Sequence, residues 1–385
     1  MNQSIWIWQQ PGWPHFSWRA DPLAPLLRAC TRAQGRLLGM LDGLGADAET
    51  HISLNALLEN IMCSSAIEGE QTDEEALRST LKRQLGQCEV GDATPRPCHG
   101  GLVQLLLDAI NNHAQILDLQ RLFSWHAWLF HHGRDLLNDP LQVGMLRGND
   151  SMQVVSGSAN HLTVHYEAPP RAKLEKELAD FLNWFESSRH NSSLDPLLRA
   201  GITHFWFVTL HPFEDGNGRI TRILTDLALA QCDQQAIRFY AMSTSIFDDR
   251  KSYYQILETS QKSNLDITNW LEWFFNTLLD SLEQALTQVD KALAKARFWQ
   301  AHQVDSLPAE QAIMLNRLLD GAESDFGNSI SAAQYRSATQ VSKATATRHL
   351  SDLLEKGYLR RMPGGGRSTR YQINKPSGTS LAIHE

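Results

Sequence analysis

The sequence predicts a mainly α-helical protein with an N-terminal Trp-rich hairpin, one inserted β-hairpin and a C-terminal winged helix-turn-helix. Three observations predict this. Apolar residues recur at helical spacing through most of the chain, residues 143–170 interrupt that spacing with glycines and short alternating runs, and the charge balance changes sign beyond residue 308.

A chain of 385 residues, 42% hydrophobic and 20% charged, has ordinary globular composition and length for two or three domains. That excludes a disordered polyampholyte and a lone small module. The net charge of −8 speaks against a surface that binds nucleic acid throughout, and leaves a local basic patch open. The five cysteines, at 30, 63, 88, 98 and 232, are odd in number and form no closely spaced pair, so they read as reduced core residues. The first twenty residues lack a secretory pattern, and no run approaches the ~20 apolar residues of a membrane span. The expected compartment is the cytoplasm, with no membrane partner.

At the N-terminus, Trp6, Trp8, Trp13 and Trp18 surround Pro11-Gly12, which suggests a small hairpin whose aromatic face anchors on the helical region behind it. Leu26, Leu27, Cys30, Leu37, Leu38 and Leu41 predict a helix over 23–41, and a second runs from Ile52 to Ile67. Amphipathic stretches cover 102–119 and 122–130. Met152–Val155 and Leu162–Tyr166 then alternate as two strands before Pro169-Pro170. Helical spacing returns at 171–188, 195–209, 219–231 and 267–299. The weakly periodic stretch 301–308 ends in Pro308 and reads as a domain boundary, giving regions 1–95, 96–300 and 307–376.

The chemistry concentrates in residues 195–230. Asp195-Pro196 opens a helix that ends near Leu210, and Ile220, Ile223, Leu224 and Leu227 form the stripe of the next. Between them lies Asp215-Gly216-Asn217-Gly218, a turn able to aim several backbone N–H groups at one point beside a helix start, where the dipole also favours anions. Arg219 and Arg222 share a face of that first turn, against the usual dipole preference, and a polyanion would relieve the conflict. Asp215 is a hard oxygen ligand of the kind Mg2+ shares with phosphates and water. His211, with an ordinary pKa of ~6.5, can accept a proton from a hydroxyl near the phosphate. Base, metal ligand, anion hole and counter-charges thus fall within twelve residues, and no P-loop sequence competes.

The run His211-Pro-Phe213-Glu-Asp215-Gly216-Asn217-Gly218-Arg219-Ile-Thr-Arg222 resembles the signature of Fic-domain proteins, H-x-F-x-[DE]-G-N-G-R-x-x-R, at all specified positions. The resemblance implies a helical core that uses Mg2+ and ATP to transfer AMP to a Ser, Thr or Tyr hydroxyl of itself or another protein. On the matching positions, it makes His211 the base, Asp215 the Mg2+ ligand and Gly216 to Gly218 the phosphate cradle. It also gives Asn217 a side-chain phosphate contact and has Arg219 and Arg222 balance the triphosphate. The hairpin within 143–170 resembles the family's flap, whose edge at Gln153, Val154 and Val155 aligns a target by strand pairing. Asp248–Gln255 resembles the adenine-side helix, with Tyr253 lining the base pocket, while Gln261 stands where relatives often carry asparagine.

A second motif precedes the core. Ser64-Ser-Ala-Ile-Glu68-Gly69 ends the helix that starts near Ile52, with Gly69 as its cap. Glu68 opposes the helix dipole there by roughly 0.3–1 kcal/mol unless a cation compensates it. The stretch resembles the Fic inhibitory motif [ST]-x-x-x-E-[GN], which implies that Glu68 pairs with Arg222 and denies a γ-phosphate its cation.

Beyond residue 308, stretches 310–321, 331–338 and 341–356 predict three helices, and 358–373 two strands around Pro363-Gly-Gly-Gly366, the plan of a winged helix-turn-helix. Over 336–370 eight basic residues face two acidic ones, a net +6, and Ser342–Arg348 places small hydroxyls beside cations. DNA is one expected partner, and docking on a protein surface is the other. The competing reading of the whole chain is a DNA-binding or toxin–antitoxin-like regulator whose core senses nucleotide without turnover. AMP removal, use of another nucleotide and a homodimer also stay open.

Overall fold

The computed structural model describes residues 6–41, 43–86, 100–130, 133, 140–158, 161–233, 239–302, 307–321, 328–363 and 369–374. The chain divides into two compact units, one of Met1–Leu37 with Thr50–Leu286, the other of Leu38–Glu49 with Thr287–Glu385. Among the described residues no helix is long and apolar enough to cross a membrane.

The N-terminal hairpin is not what forms. Residues 6–19 make a short 3-10 turn at Ile7–Gln9, further tight turns, and an isolated bridge from Ser17 to Asp266. Pro11 and Pro14 lack the N–H that a ladder needs. Aromatic packing anchors the segment instead: Trp6 meets Tyr166 edge-on at 5.4 Å, and Trp13 and Phe16 meet Trp206 at 6.3 and 5.7 Å.

The first unit is built from helix α1 (Ala20–Leu41) up to Leu37, α2 (Ala46–Ile67) from Thr50 on, α3 (Glu74–Gln84), α4 (Gly100–Asn111) and α5 (Leu119–Leu129), then strands β1 (Gln153–Ser158) and β2 (His161–Glu167). It continues through α6 (Arg171–Ser188), α7 (Pro196–Leu210), α8 (Asn217–Asp233), α9 (Met242–Asp248), α10 (Arg250–Gln261) and the first part of α11 (Thr268–Ala301). The helix expected over 102–119 stops at Asn111, because Asp118 caps a new one by accepting the Arg121 N–H at 2.8 Å. Helix α2 starts six residues before the expected Ile52, in a polar turn that an apolar stripe cannot register.

Asp195 caps α7, accepting from the Leu197 N–H at 2.8 Å, with Pro196 in the first turn. Every residue from Leu197 to Leu210 is buried, so α7 is the central helix of the unit. Helix α8 packs against it, and the loop 211–216 joins the two. That loop carries the signature residues.

The second unit contains α12 (Ala309–Leu319), β3 (Ile330–Ser331), α13 (Ala332–Thr339), α14 (Lys343–Glu355), β4 (Leu359–Arg361) and β5 (Arg370–Ile373). Its strands pair antiparallel in the order β3-β5-β4, over a core that includes Phe298, Met314, Tyr335, Leu350 and Tyr358. Gly364 to Gly366 and Arg367 lie outside the described residues.

Candidate active site

His211 ends α7 in the left-handed conformation, φ 48° and ψ 59°, uncommon for a residue with a side chain. Arg147 holds it there. The Arg147 Nε donates to the His211 carbonyl at 2.8 Å, its backbone N–H to the Pro212 carbonyl at 3.0 Å, and its Nη2 to the Pro169 carbonyl at 2.5 Å. The imidazole Nδ1 lies 3.1 Å from the Val208 carbonyl, which only a protonated Nδ1 can satisfy, so the Nε2 lone pair is left free. Burial lowers the His211 pKa, with Glu68 and Asp215 as the opposing negative charges. The ring is therefore neutral at neutral pH.

The loop after His211 is fixed by two side chains. Asn217 clasps Phe213, accepting from its N–H and donating to its carbonyl, both at 2.9 Å. Both ends of the Asn217 amide thus hold the loop, and the second Nδ2 hydrogen is not used by these two bonds. His126, its pKa pushed down to about 4 by burial, accepts the Gly144 N–H at 3.0 Å on Nδ1 and directs Nε2–H to the Asp215 carbonyl at 3.3 Å. Gly216 has φ +78°, and a Cβ there would stand 2.6 Å from Phe130 Cε2 and 2.8 Å from Leu129 Cδ2. Gly216→Ala is expected to lower stability by about 2 kcal/mol, read as a lower melting temperature. An unchanged melt would contradict this packing.

Ser64, Glu68 and Arg222 come together as the motif implies. Arg222, 2% exposed, donates Nε to Ser64 Oγ at 2.9 Å and Nη2 to the Ser64 carbonyl at 2.8 Å and Glu68 Oε1 at 2.7 Å. Burial alone would raise the Glu68 pKa, and the Arg222 charge more than offsets it, so the carboxyl is held below its usual range. Gly69, at φ +86°, closes α2: its N–H donates to Ala66 and the Glu70 N–H to Ser65, at 3.1 and 3.0 Å. Four residues before Ser64, Asn60 donates to Asp226 on α8 at 2.8 Å, where burial lifts the Asp226 carboxyl to about 7.

Glu68 stands where an anion would bind. A Cβ on Gly218 would lie 2.0 Å from Glu68 Oε1, so the carboxylate fills the space at the first turn of α8, whose N–H groups have no partner within the helix. Arg222 Nη1 and Arg219 Nε and Nη2 are buried without hydrogen-bond partners. Buried donors are rarely left so, and three beside one helix start call for acceptor oxygens. Asp215, with its side chain 33% exposed, lies 3.6 Å from Arg219 Nη2.

Residues 116–229 match the Fic/DOC family. These residues form a Fic domain. Residues 6–87 match a domain of unknown function, DUF4172. The chain is similar to the protein adenylyltransferase Fic of Drosophila willistoni, 26% identical over 277 residues, which cover 69% of this chain and 47% of that protein. It is also similar to protein adenylyltransferase fic-1 of Caenorhabditis briggsae, 34% identical over 99 residues, covering 26% of this chain and 17% of the relative. The chain thus spans about half the length of these relatives, or less. A Fic family protein from Desulfovibrio desulfuricans shares the fold, with TM-score 0.51 and 20% identity over 96% of this chain and 99% of that one. A Fic domain containing signaling protein from Bacteroides thetaiotaomicron gives TM-score 0.50 and 18% identity, over 69% of this chain and 96% of the other.

Other expected site residues of the Fic domain fall differently. Tyr253 is 2% exposed, with its hydroxyl 3.0 Å from His204 Nε2. Its neighbour Tyr254, 41% exposed, donates to the Ile67 carbonyl at 3.1 Å and so touches the end of α2. Gln261 is buried and donates to Thr209 Oγ1 at 3.2 Å. β1 and β2 pair antiparallel with a bulge between Val154 and Val155, and Gln153, Val154 and Val155 are exposed on β1. His165 joins β2 to α10 through Glu258 at 2.8 Å.

Sequence reasoning missed Arg147, His126, Asn60, Glu70 and Tyr254. Asn60, Ser64 and Glu68 recur every fourth residue, a signal that could have found the first of the three. Nothing local marks Arg147 or His126, because what they hold is the backbone of a distant loop.

Proposed function

We propose that this chain is an autoinhibited protein adenylyltransferase, which transfers AMP from ATP to a Ser, Thr or Tyr hydroxyl of itself or of another protein. The observation that carries the reading is the group of unpartnered buried arginine nitrogens at the start of α8, one turn of chain from a neutral histidine with a free Nε2. In the reaction, the hydroxyl oxygen bonds to the α-phosphorus as its proton passes to His211 Nε2. The bond from that phosphorus to the bridging oxygen breaks, and pyrophosphate leaves with the electron pair. Arg219, Arg222 and the N–H groups at Gly216 to Gly218 hold the phosphates. The exposed edge at Gln153, Val154 and Val155 takes the target segment as an added strand. The names of the relatives support AMP as the group transferred and proteins as the acceptors.

Mg2+ suits the donor set. Among the described residues no group of three or more His, Cys, Asp or Glu could hold a metal, and the half-exposed Asp215 offers one carboxylate, as at sites where nucleotide oxygens and water complete the shell. Bound there, the ion would offset phosphate charge. In this reading residues 1–95 regulate, 96–300 catalyse and 307–376 form a winged helix. With ATP labelled at either end and the Glu68→Gly protein, label at the α-phosphate is expected to remain on protein and label at the γ-phosphate not. Retention of the γ-label would replace adenylylation by phosphorylation.

For the C-terminal unit a DNA-binding role is favoured by one face of α14. Lys343, Ala344, Thr347, Arg348 and Ser351 are exposed along its first turns, with Glu355 the carboxylate at the far end of the same stripe, and Arg336, Ser337 and Gln340 are exposed beside it. Small hydroxyls and cations on an exposed helix suit a groove lined by phosphates. The 385-residue chain is expected to retard duplex DNA at low salt, steeply less so as salt rises, and the Lys343→Ala/Arg348→Ala double variant is expected to lose the shift. No retardation at low salt would turn this surface toward a protein partner.

A further inference from the structure

The inhibitory motif accounts for one carboxylate and one arginine, Glu68 and Arg222. The structure contains a second such pair. Arg219 Nη1 donates to Glu70 Oε1, two residues beyond Glu68 and outside the motif. Neighbours two apart on a helix face away from each other. Here the left-handed Gly69 reverses the chain between them, and the hydrogen bonds from the Gly69 and Glu70 N–H groups back to Ala66 and Ser65 hold that reversal, so both carboxylates reach α8.

Arg219 has little else to bind. Its side chain is 2% exposed, Nε and Nη2 have no hydrogen-bond partner, Phe130 lies under the guanidinium at 4.9 Å, and Asp215 Oδ1 stands 3.6 Å away. Glu70 is more open, with its side chain 22% exposed, and borders a cavity of ≈ 590 Å³ also lined by Glu68, Gln71, Trp128 and Leu129. The carboxylate has room to leave while the arginine does not. With both pairs closed, the two signature cations present no net charge to an incoming triphosphate. With both open, they present two.

We propose that Glu70 is a second inhibitory carboxylate, which occupies Arg219 as Glu68 occupies Arg222, so that the brake is a two-point latch turning on Gly69. The proposal rests on the adenylyltransferase reading. It also assigns Glu68→Gly an incomplete effect, since Arg219 stays paired in that variant.

The test compares wild type, Glu68→Gly, Glu70→Gln and Glu68→Gly/Glu70→Gln. Calorimetry measures binding of a β,γ-imido ATP analogue and of AMP, and AMP incorporation gives kcat and KM for ATP. Glu70→Gln is expected to tighten analogue binding about fivefold, in wild type and again on top of Glu68→Gly. AMP affinity should stay unchanged, because AMP lacks the outer phosphates, and KM should fall while kcat changes little. Equal or weaker analogue binding by the double variant than by Glu68→Gly overturns the latch, because Glu70 would then be inert or a support for Arg219. A gain of the same size for AMP also overturns it, as general loosening. If Glu68→Gly alone neither binds nor transfers better than wild type, the brake on Arg222 fails, and the Glu70→Gln comparison with wild type still decides the second carboxylate.

Discussion

Glu68→Gly is expected to raise AMP incorporation about tenfold or more over wild type. The carboxylate does two things at once. It takes Arg222 Nη2 at 2.7 Å, and it places negative charge at Gly218, where the first turn of α8 offers N–H groups to an anion. A γ-phosphate brought to that position would displace a charge-assisted hydrogen bond and meet a like charge, and each is worth about 1.4 kcal/mol or more, a factor of roughly ten in affinity. Arg222 keeps its bonds to Ser64 Oγ and the Ser64 carbonyl in the variant, so the guanidinium stays positioned. Because Glu68 is held below the ordinary carboxylate range, it stays charged throughout the neutral region. Its pairing therefore stabilises the fold at neutral pH and is lost only as acid protonates the carboxyl. Incorporation equal to wild type in Glu68→Gly would remove the brake from the account.

His211→Ala, made in the Glu68→Gly background, is expected to lower the transfer rate by roughly 10²–10⁴-fold, the usual contribution of a positioned base. The bond from Nδ1–H to Val208 keeps Nε2 as the acceptor, and the Arg147 contacts to the His211 and Pro212 carbonyls keep the ring at its station. The pH profile carries the same signature. Burial lowers the His211 pKa, so the neutral form persists below the ordinary histidine value of ~6.5, and the rate should hold through that pH and fall only under more acid conditions. A rate that halves near an unshifted pKa would place the base elsewhere.

Much of the candidate site is legible in the sequence, because its parts are local. Asp195-Pro196, the helix stripe after Gly218 and the turn between them lie in one run, and cap, period and positive φ are properties of neighbours. The partnership of Ser64 and Glu68 with Arg222 spans more than 150 residues, and a motif reveals it where spacing does not. The contacts that stay hidden have a common cause. Tyr253 and Tyr254 differ by one position on α10, and a turn of roughly 100° decides which one meets His204 in the core and which one meets Ile67. Arg147, His126 and Asn217 serve backbone groups of the loop, and a residue's appetite for a distant carbonyl leaves no local pattern. The Trp-rich segment reads as a hairpin because aromatic alternation resembles a strand, although Pro11 and Pro14 deny it a ladder.

Intact mass measurement of wild type, Glu68→Gly and Glu68→Gly/His211→Ala, each incubated with ATP and Mg2+, tests the central assignment most directly. A mass increase of one AMP in Glu68→Gly that disappears in the double variant is the predicted result. The same increase in Glu68→Gly/His211→Ala would contradict it, since the transfer would then need no proton acceptor at the end of α7.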